Sequence, residues 1–377
     1  MAIDRRNFLI GSVALLGAAT ASRRAFAAGA LGPSADFVSA ARLADGSYAV
    51  LLIADDGSLV REIPLSTRGH DIAIDRGRRR AAAFARRPGY FAVAFDLDGR
   101  GEPHVVTPED NRHFFGHGAF SHDGRLLYTS ENDIDLGTGV IGIYETSGWR
   151  RIGEFSSFGI GPHEALLLAD GRTLAIANGG FATEPSSGRE PINLSAMEPS
   201  LCFVDVETGE LKAKHLLPAA LHLLSIRHLA ADAAGGVWFG GQWQGSLEAA
   251  PELIGMASRD RPIKIIEPAE PQGVALKGYI GSVSISADGR VLAASAPRAG
   301  RIIYSDTATG KVLRTVLLDD GCGIAPAAGR ESEGWAFAMT SGHGVLHVEG
   351  LSGAEAPDRT FGGVEFDNHL RRIAPLV

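Results

Sequence analysis

Cysteine is nearly absent from this sequence of 377 residues, which contains only Cys202 and Cys322. Two cysteines cannot build the dense disulfide framework that stabilises many small secreted domains. A bond between these two stays open, although they lie far apart and in different repeats of the chain, which disfavours pairing. The protein must therefore be stabilised mainly by a hydrophobic core.

Recognisable catalytic motifs are missing as well. The sequence has no Gly-x-Ser-x-Gly nucleophile elbow, no Cys-x-x-Cys-His haem attachment, no Walker loop and no His-Glu-x-x-His zinc motif. We therefore predict no catalytic residue, and whether the protein is an enzyme stays open.

Long apolar runs are confined to the N-terminus. Residues 4–10 read Asp-Arg-Arg-Asn-Phe-Leu-Ile, the apolar run Leu9–Ala21 follows, and Ala25-Phe26-Ala27 is a small-x-small cleavage site. The run is too short to span a bilayer, although an uncleaved anchor is the alternative. We expect residues 1–27 to be a twin-arginine signal peptide and residues 28–377 to be one domain in the periplasm, without a membrane span.

Positive charge is in deficit. The net charge of −8 becomes −11 when residues 1–27, with four arginines and one aspartate, are removed. A field of this sign excludes general binding of nucleic acid. It favours metal ions, cationic small molecules or basic protein surfaces as partners.

What the sequence does contain is a repeat of short strands and glycine turns. Asp-Gly-Arg turns recur at 123–125, 170–172 and 288–290, and Asp-x-x-Thr-Gly hairpins occur within 204–216 and 304–318. Units of four strands at roughly 40 to 65 residues are typical of propellers. We predict an all-β, seven-bladed β-propeller of four-stranded antiparallel blades, in which N- and C-terminal strands share the closing blade. Six or eight blades are the alternatives.

One position near the start of the first strand of each unit is rich in histidine. Aligning the units places seven residues there: His70, His117, His163, His228, Ser282, Cys322 and His369. The first strand of a propeller blade is innermost, so these side chains should surround one mouth of the channel. Imidazole nitrogens and a thiolate are ligands for transition metals. We predict that the five histidines and Cys322 hold iron, copper or a metal complex. Binding of another ligand, or simple lining of the channel, are the alternatives.

Loops at the same mouth supply further candidates. Asn178 precedes a glycine pair, Trp243 can stack on a ligand, and Arg227 adjoins His228, so we predict that these three bind a cofactor. The respective alternatives are a plain turn, shielding of the channel and pairing with a neighbouring blade. Another loop carries the acidic residues Glu131, Asn132, Asp133 and Asp135. Their spacing does not match a calcium-binding EF-hand, and a solvated loop is favoured.

Several segments resemble an exported bacterial family of unknown function. They are the twin-arginine leader, residues 116–125, Gly-Pro-His-Glu-Ala at 161–165 and Ile-Ala-Asn-Gly-Gly at 176–180. Members are often encoded beside imelysin-type and di-haem oxidoreductase-like proteins in iron-responsive clusters. The resemblance implies a periplasmic propeller linked to iron acquisition, and it supplies no catalytic residues. A more distant similarity is to the propeller of nitrous oxide reductase, whose histidines hold copper.

Three functions follow as hypotheses. The first is a periplasmic protein that binds a metal or metal complex for iron acquisition. The second is a lactonase-like or oxidoreductase enzyme that uses the same pocket, because the Asp-x-x-Thr-Gly hairpins resemble those of lactonase-like propellers. The third is a scaffold that docks an imelysin-like or haem partner.

Overall fold

The computed structural model describes residues 34–183, 191–232, 234–267, 273–327, 336–350 and 357–374. These residues form seven four-stranded antiparallel sheets arranged as a β-propeller, as predicted. The predicted signal peptide, residues 1–27, lies outside the described residues.

Each sheet is one blade. In blades 1 to 6, as numbered below, the innermost strand is the first in sequence, and in the closing blade it is the last strand of the chain. The closing blade contains β1 (Phe37–Arg42), β2 (Tyr48–Ile53), β3 (Leu59–Leu65) and β28 (Glu365–Arg372). Blade 1 contains β4 (Gly69–Asp75), β5 (Arg80–Ala85), β6 (Ala92–Asp96) and β7 (His104–Val106). Blade 2 contains β8 (Arg112–Phe120), β9 (Leu126–Asp133), β10 (Thr138–Glu145) and β11 (Arg150–Ser156). Blade 3 contains β12 (Pro162–Leu167), β13 (Thr173–Asn178), β14 (Ser200–Asp205) and β15 (Leu211–Leu216).

The other three blades follow the same pattern. Blade 4 contains β16 (Leu224–Ala231), β17 (Val237–Trp243), β18 (Ile254–Ser258) and β19 (Arg261–Ile265). Blade 5 contains β20 (Ser282–Ile285), β21 (Val291–Ala296), β22 (Arg301–Asp306) and β23 (Val312–Leu317). Blade 6 contains β24 (Gly321–Ala327), β25 (Ala336–Ser341), β26 (Val345–Gly350) and β27 (Arg359–Thr360). Short 3-10 helices lie between strands at Leu194–Ala196, Ala219–Leu221, Leu247–Ala249 and Pro297–Ala299.

The innermost strands form a closed circle. Neighbours around it are β28, β4, β8, β12, β16, β20 and β24, and β24 in turn contacts β28. The closing blade combines N-terminal and C-terminal strands, because β28 pairs with β1 through contacts such as Phe37 with Arg372. This pairing leaves no open seam in the circle, which confirms the predicted closure.

The hydrophobic core lies between neighbouring blades. Middle strands such as β2 and β13 are buried on both faces, whereas the outer strand β11 alternates between half-buried and exposed residues. Phe84 of β5, for example, packs against Phe114 of β8 with ring centroids 5.6 Å apart. Burying each large apolar side chain contributes about 1.5–3 kcal/mol, so every blade is stabilised by its neighbours.

Two details differ from or complete the sequence-based picture. Two of the acidic residues expected in a solvated loop lie in a strand instead: Glu131 and Asp133 belong to β9 and are buried. Both cysteines are free and buried, in different apolar clusters.

No helix within the described ranges has the length and hydrophobicity needed to cross a membrane.

Candidate functional site

The five predicted histidines come together around the propeller axis. His70, His117, His163, His228 and His369 lie on β4, β8, β12, β16 and β28, which are five of the innermost strands. They are only 0–7% exposed. They form one buried group, named here the histidine cluster.

A backbone irregularity marks this level of the propeller. The strand register shifts next to the aligned position in β4, β8, β12, β16, β24 and β28, whereas β20 pairs regularly. Such bulges re-aim side chains away from strict alternation. At Gly116, where φ is +102°, an added Cβ would lie 2.8 Å from Cδ2 of His70. The close packing of β8 against this ring therefore needs glycine.

His117 lies at the centre of the cluster. Its ring centroid is 4.5 to 5.8 Å from those of the other four imidazoles. Nε2 of His117 and Nε2 of His369 are 3.1 Å apart. Three sets of side chains have ligand atoms within 4.8 Å of one another: His70, His117 and His163; His117, His228 and His369; Asp71, His117 and Glu164.

Several imidazole nitrogens in the cluster lack a hydrogen-bond partner among the described residues. They are Nδ1 of His117, Nε2 of His163 and both ring nitrogens of His228. Nδ1 of His228 lies 3.7 Å from Oε2 of Glu164, too far for a hydrogen bond. An unsatisfied buried polar group costs about 1–3 kcal/mol, so the cluster is costly without a ligand.

The imidazoles are held neutral. Burial lowers the pKa of His70 to about 3 and that of His228 to about 4. Burial also places the pKa of His117, His163 and His369 below the ordinary value. A neutral imidazole keeps one nitrogen lone pair, which is the form that ligates a metal.

Two hydrogen bonds fix which nitrogen keeps that lone pair. Nδ1–H of His70 donates to Asp367 over 2.8 Å, which leaves Nε2 as the lone-pair atom. In His163 the situation is reversed, because the Arg227 guanidinium only donates and its NH1 group lies 3.1 Å from Nδ1. The proton of neutral His163 is then on Nε2. His70 is thus prepared as a ligand and His163 as a hydrogen-bond donor.

Two buried carboxylates flank His117. Oδ2 of Asp71 and Oε2 of Glu164 each lie 4.0 Å from Nε2 of His117. Arg371 binds both, at 2.7 Å from Asp71 and 2.9 Å from Glu164. Burial alone would raise the pKa of both carboxyls, but the charge of Arg371 holds each below its usual value. Two negative charges therefore face one arginine beside the cluster.

A cavity of about 310 Å³ adjoins the cluster. His70, His163 and His228 form part of its wall. The remaining described residues that line it are Arg86, Arg87, Phe115, Phe181, Arg227, Gln242, Trp243, Gln244, Tyr279, Arg298 and Asn368. This volume is at the lower end of the range for small-molecule sites.

The other predicted site residues divide between this cavity and the blades. Arg227 and Trp243 line the cavity. Asn178 is not among its lining residues, since its amide donates to the Ser157 carbonyl and the Ser200 hydroxyl in the wall of blade 3. It lies within the sheet instead of at a ligand.

Cys322 is also placed differently from the prediction. Its thiol donates to the backbone carbonyls of Thr340 and Asp367 and belongs to none of the ligand sets formed by the described residues. Burial raises the pKa of this thiol to about 12, which disfavours the thiolate that a metal requires. The structure therefore brings together the five histidines without Cys322.

Some residues at this site were missed in the sequence. Asp71 directly follows His70, Glu164 directly follows His163, and Asp367 precedes His369 by two positions. The first two pairs could have been noticed as His-acid neighbours in aligned repeats. Strict strand alternation, however, predicts that adjacent residues point to opposite sides of a sheet.

The family of the chain follows from sequence comparison. A family model described as a protein of unknown function, DUF1513, matches residues 63–373. The chain belongs to the DUF1513 family. No curated protein matches this DUF1513 protein in sequence.

Solved structures are similar to the DUF1513 protein in fold. Hydrazine synthase of Kuenenia stuttgartiensis aligns with a TM-score of 0.58 and 11% identity, covering 89% of this chain and 99% of that one. A chain of the mitotic checkpoint complex aligns with a TM-score of 0.54 and 12% identity, covering 77% and 76%. Identities this low show a shared propeller fold and nothing about activity.

Proposed function

We propose that this DUF1513 protein binds one transition-metal ion, iron or copper, in the histidine cluster. The ligands are neutral imidazoles of His117, His228 and His369, with His70 adjoining them. The observation that carries the proposal is the convergence of buried imidazole nitrogens that have no hydrogen-bond partner among the described residues. A metal ion would take the lone pair of one nitrogen in each ligating ring, whereas Nε2–H of His163 stays a hydrogen-bond donor.

The spacing of the nitrogens supports this assignment. Two nitrogens 3.1 Å apart, as in His117 and His369, would subtend roughly 97° at an ion about 2.0–2.1 Å from each. That angle lies between those of octahedral and tetrahedral coordination. Imidazole ligands suit zinc, copper and iron.

The surroundings of the cluster support a cation as well. Asp367 orients His70 as carboxylates do for many metal-bound histidines. Asp71 and Glu164 carry one more negative charge than Arg371 neutralises. A cation beside His117 is therefore favoured electrostatically.

The wider role that we propose is metal handling in the periplasm, linked to iron acquisition. The twin-arginine leader in residues 1–27 and the family resemblance support it. An imelysin-like or di-haem protein is the proposed partner.

Metal titration of the metal-free protein tests the proposal. We expect one equivalent of Fe²⁺ or Cu²⁺ to bind, as measured by elemental analysis and, for copper, by visible absorption. The double variant His117→Ala/His369→Ala should lose stoichiometric binding, and the single variant His228→Ala should weaken it if the double variant fails to fold. Protein purified from its native compartment should contain the same metal.

His113→Ala is the matched control. His113 is 1% exposed, and burial lowers its pKa to about 4, but it lies outside the cluster. Its loss should leave the metal-to-protein ratio at one. Unchanged binding in both cluster variants would refute the proposal.

A further inference from the structure

The cavity beside the histidine cluster has a charge opposite to that of the chain as a whole. The chain carries a net charge of −8, which favours cationic partners. The described residues that line the cavity nevertheless include four arginines and neither aspartate nor glutamate. The four are Arg86, Arg87, Arg227 and Arg298. This local charge favours an anionic ligand.

Aromatic rings hold three of the guanidinium groups. Cζ of Arg227 lies 4.5 Å and Cζ of Arg87 lies 5.3 Å from the ring centroid of Phe181. Cζ of Arg298 lies 4.4 Å from the ring centroid of Tyr279. Stacking on a ring restricts the orientation of a guanidinium. These arginines are therefore oriented before a ligand arrives.

The fourth arginine belongs to a separate ion group. Arg86 donates to Asp367 over 2.9 Å, and Asp367 also accepts hydrogen bonds from Arg68 and His70. Two arginines thus face this one carboxylate. The group adds positive charge to the cavity wall instead of cancelling it.

The arginines come from different sides of the propeller. Arg86 and Arg87 follow β5 in blade 1, Arg227 lies on β16 in blade 4, and Arg298 follows β21 in blade 5. Their guanidinium groups lie at three places: two at Phe181, one at Tyr279 and one at Asp367. A ligand with several separate anionic groups fits this distribution better than a single phosphate. The guanidinium fork matches a carboxylate in two parallel hydrogen bonds.

We propose that this cavity binds a small multivalent carboxylate. The carboxylate groups could belong to a free polycarboxylate or to a polycarboxylate that chelates a metal ion. The chelate would place its metal beside His70, His163 and His228, which line the same cavity. The carboxylate site stands on the arginines alone and does not depend on the metal site.

Calorimetric titration with citrate at constant ionic strength tests the proposal. We expect one citrate to bind to the metal-free protein, with inorganic phosphate at least tenfold weaker. Replacing an arginine that makes charged hydrogen bonds should weaken citrate by about tenfold to a hundredfold. Arg298→Gln is the first variant, because Arg298 is exposed and its loss should not disturb folding. Arg227→Gln is the second.

Arg125→Gln is the control, since the Arg125 side chain is 76% exposed and does not line the cavity. It should bind citrate as the parent protein does. A second titration uses metal-loaded protein. Arginine-dependent binding seen only in that arm identifies the chelate as the ligand and supports the proposal.

Three results would overturn it: no citrate binding in either arm, binding unaffected by both arginine variants, or tighter binding of phosphate than of citrate. The outcome is separable from the metal proposal. Citrate binding without any metal binding would support the carboxylate site and refute the metal site. Metal binding without citrate binding would support the metal site and refute the carboxylate site.

Discussion

Two buried polar groups in this propeller differ in whether their members satisfy one another. In blade 2, Arg151 lies 3.1 Å from Glu131, and Arg112 lies 2.9 Å from Asp133 and 3.0 Å from Glu154. Each carboxylate there faces a guanidinium. In the histidine cluster, by contrast, like groups face one another and several nitrogens have no hydrogen-bond partner among the described residues. In the first group, named here the blade 2 network, only Nε of Arg151 lacks a hydrogen-bond partner among the described residues.

This difference separates a structural group from a candidate binding group. Glu131 also accepts hydrogen bonds from the hydroxyls of Thr129 and Tyr144, so its burial is compensated inside the blade. Complementary charges keep a buried network stable without a ligand. Neutral imidazoles that face one another gain nothing comparable until a ligand binds. The histidine cluster is therefore distinguished from the blade 2 network by its several partnerless nitrogens, and not by burial or charge alone.

The largest expected effect comes from breaking the blade 2 network. Arg151→Met leaves Glu131, which is 0% exposed, without its cation. We expect a loss of about 3–5 kcal/mol in the free energy of unfolding, because a buried charge is left unpaired. Urea unfolding measures it. Arg150→Met, at the neighbouring residue, is the matched control. The Arg150 side chain is 73% exposed, so the free energy of unfolding should change by no more than about 0.5 kcal/mol. Equal losses in the two variants would show that the network is not structural.

Acidification should destabilise the metal-free protein through the histidine cluster. Burial lowers the pKa of His70 to about 3 and that of His228 to about 4 in the folded state. As the pH falls below about 6.5, the ordinary pKa of histidine, these imidazoles are therefore protonated in the unfolded chain before they are protonated in the folded protein. Stability should be complete above about pH 6.5 and fall towards pH 4, by about 1.4 kcal/mol per pH unit for each imidazole.

Unfolding by urea at several pH values measures this slope. His228→Gln should reduce it by one proton, and His122→Gln, which removes an exposed histidine, is the matched control. A profile that is flat between pH 6.5 and 4 would contradict the neutral, buried state of the cluster.

The smallest effect is expected from an apolar substitution inside the cluster. His228→Leu removes two ring nitrogens that lack hydrogen-bond partners among the described residues. The free energy of unfolding of the metal-free protein should stay within about 1 kcal/mol or rise. His70→Leu is the comparison, because it removes a hydrogen bond to Asp367 and should destabilise. A loss for His228→Leu as large as that for Arg151→Met would mean that the cluster is structural.

The repeat made most of the fold predictable. Asp-Gly-Arg turns anchored the first strands that contain His117 and His163, and one such strand per blade placed the histidines together. The closure by β28 followed from counting strands. Each of these inferences depends on local sequence that recurs from blade to blade.

What the repeat could not supply was local backbone geometry. The bulge in β4, between Gly69 and Ile72, sets the directions of His70 and Asp71, and β4 contacts β8 of the next blade. Arg86 lies in the turn after β5 and Arg298 in the 3-10 helix Pro297–Ala299, so no alignment of the blades marks them as neighbours. The acidic stretch at Glu131 was misjudged because its partner, Arg151, is distant in sequence.

The pairing of β28 with β1 also sets the order in which the site can be made during synthesis. His369 and Arg371 lie on the last propeller strand to leave the ribosome, and that strand must dock beside the first one. Until then His117 lacks His369, and Asp71 and Glu164 lack their shared arginine. A partly synthesised chain therefore cannot assemble the cluster. Docking of β28 must therefore precede binding of the proposed metal.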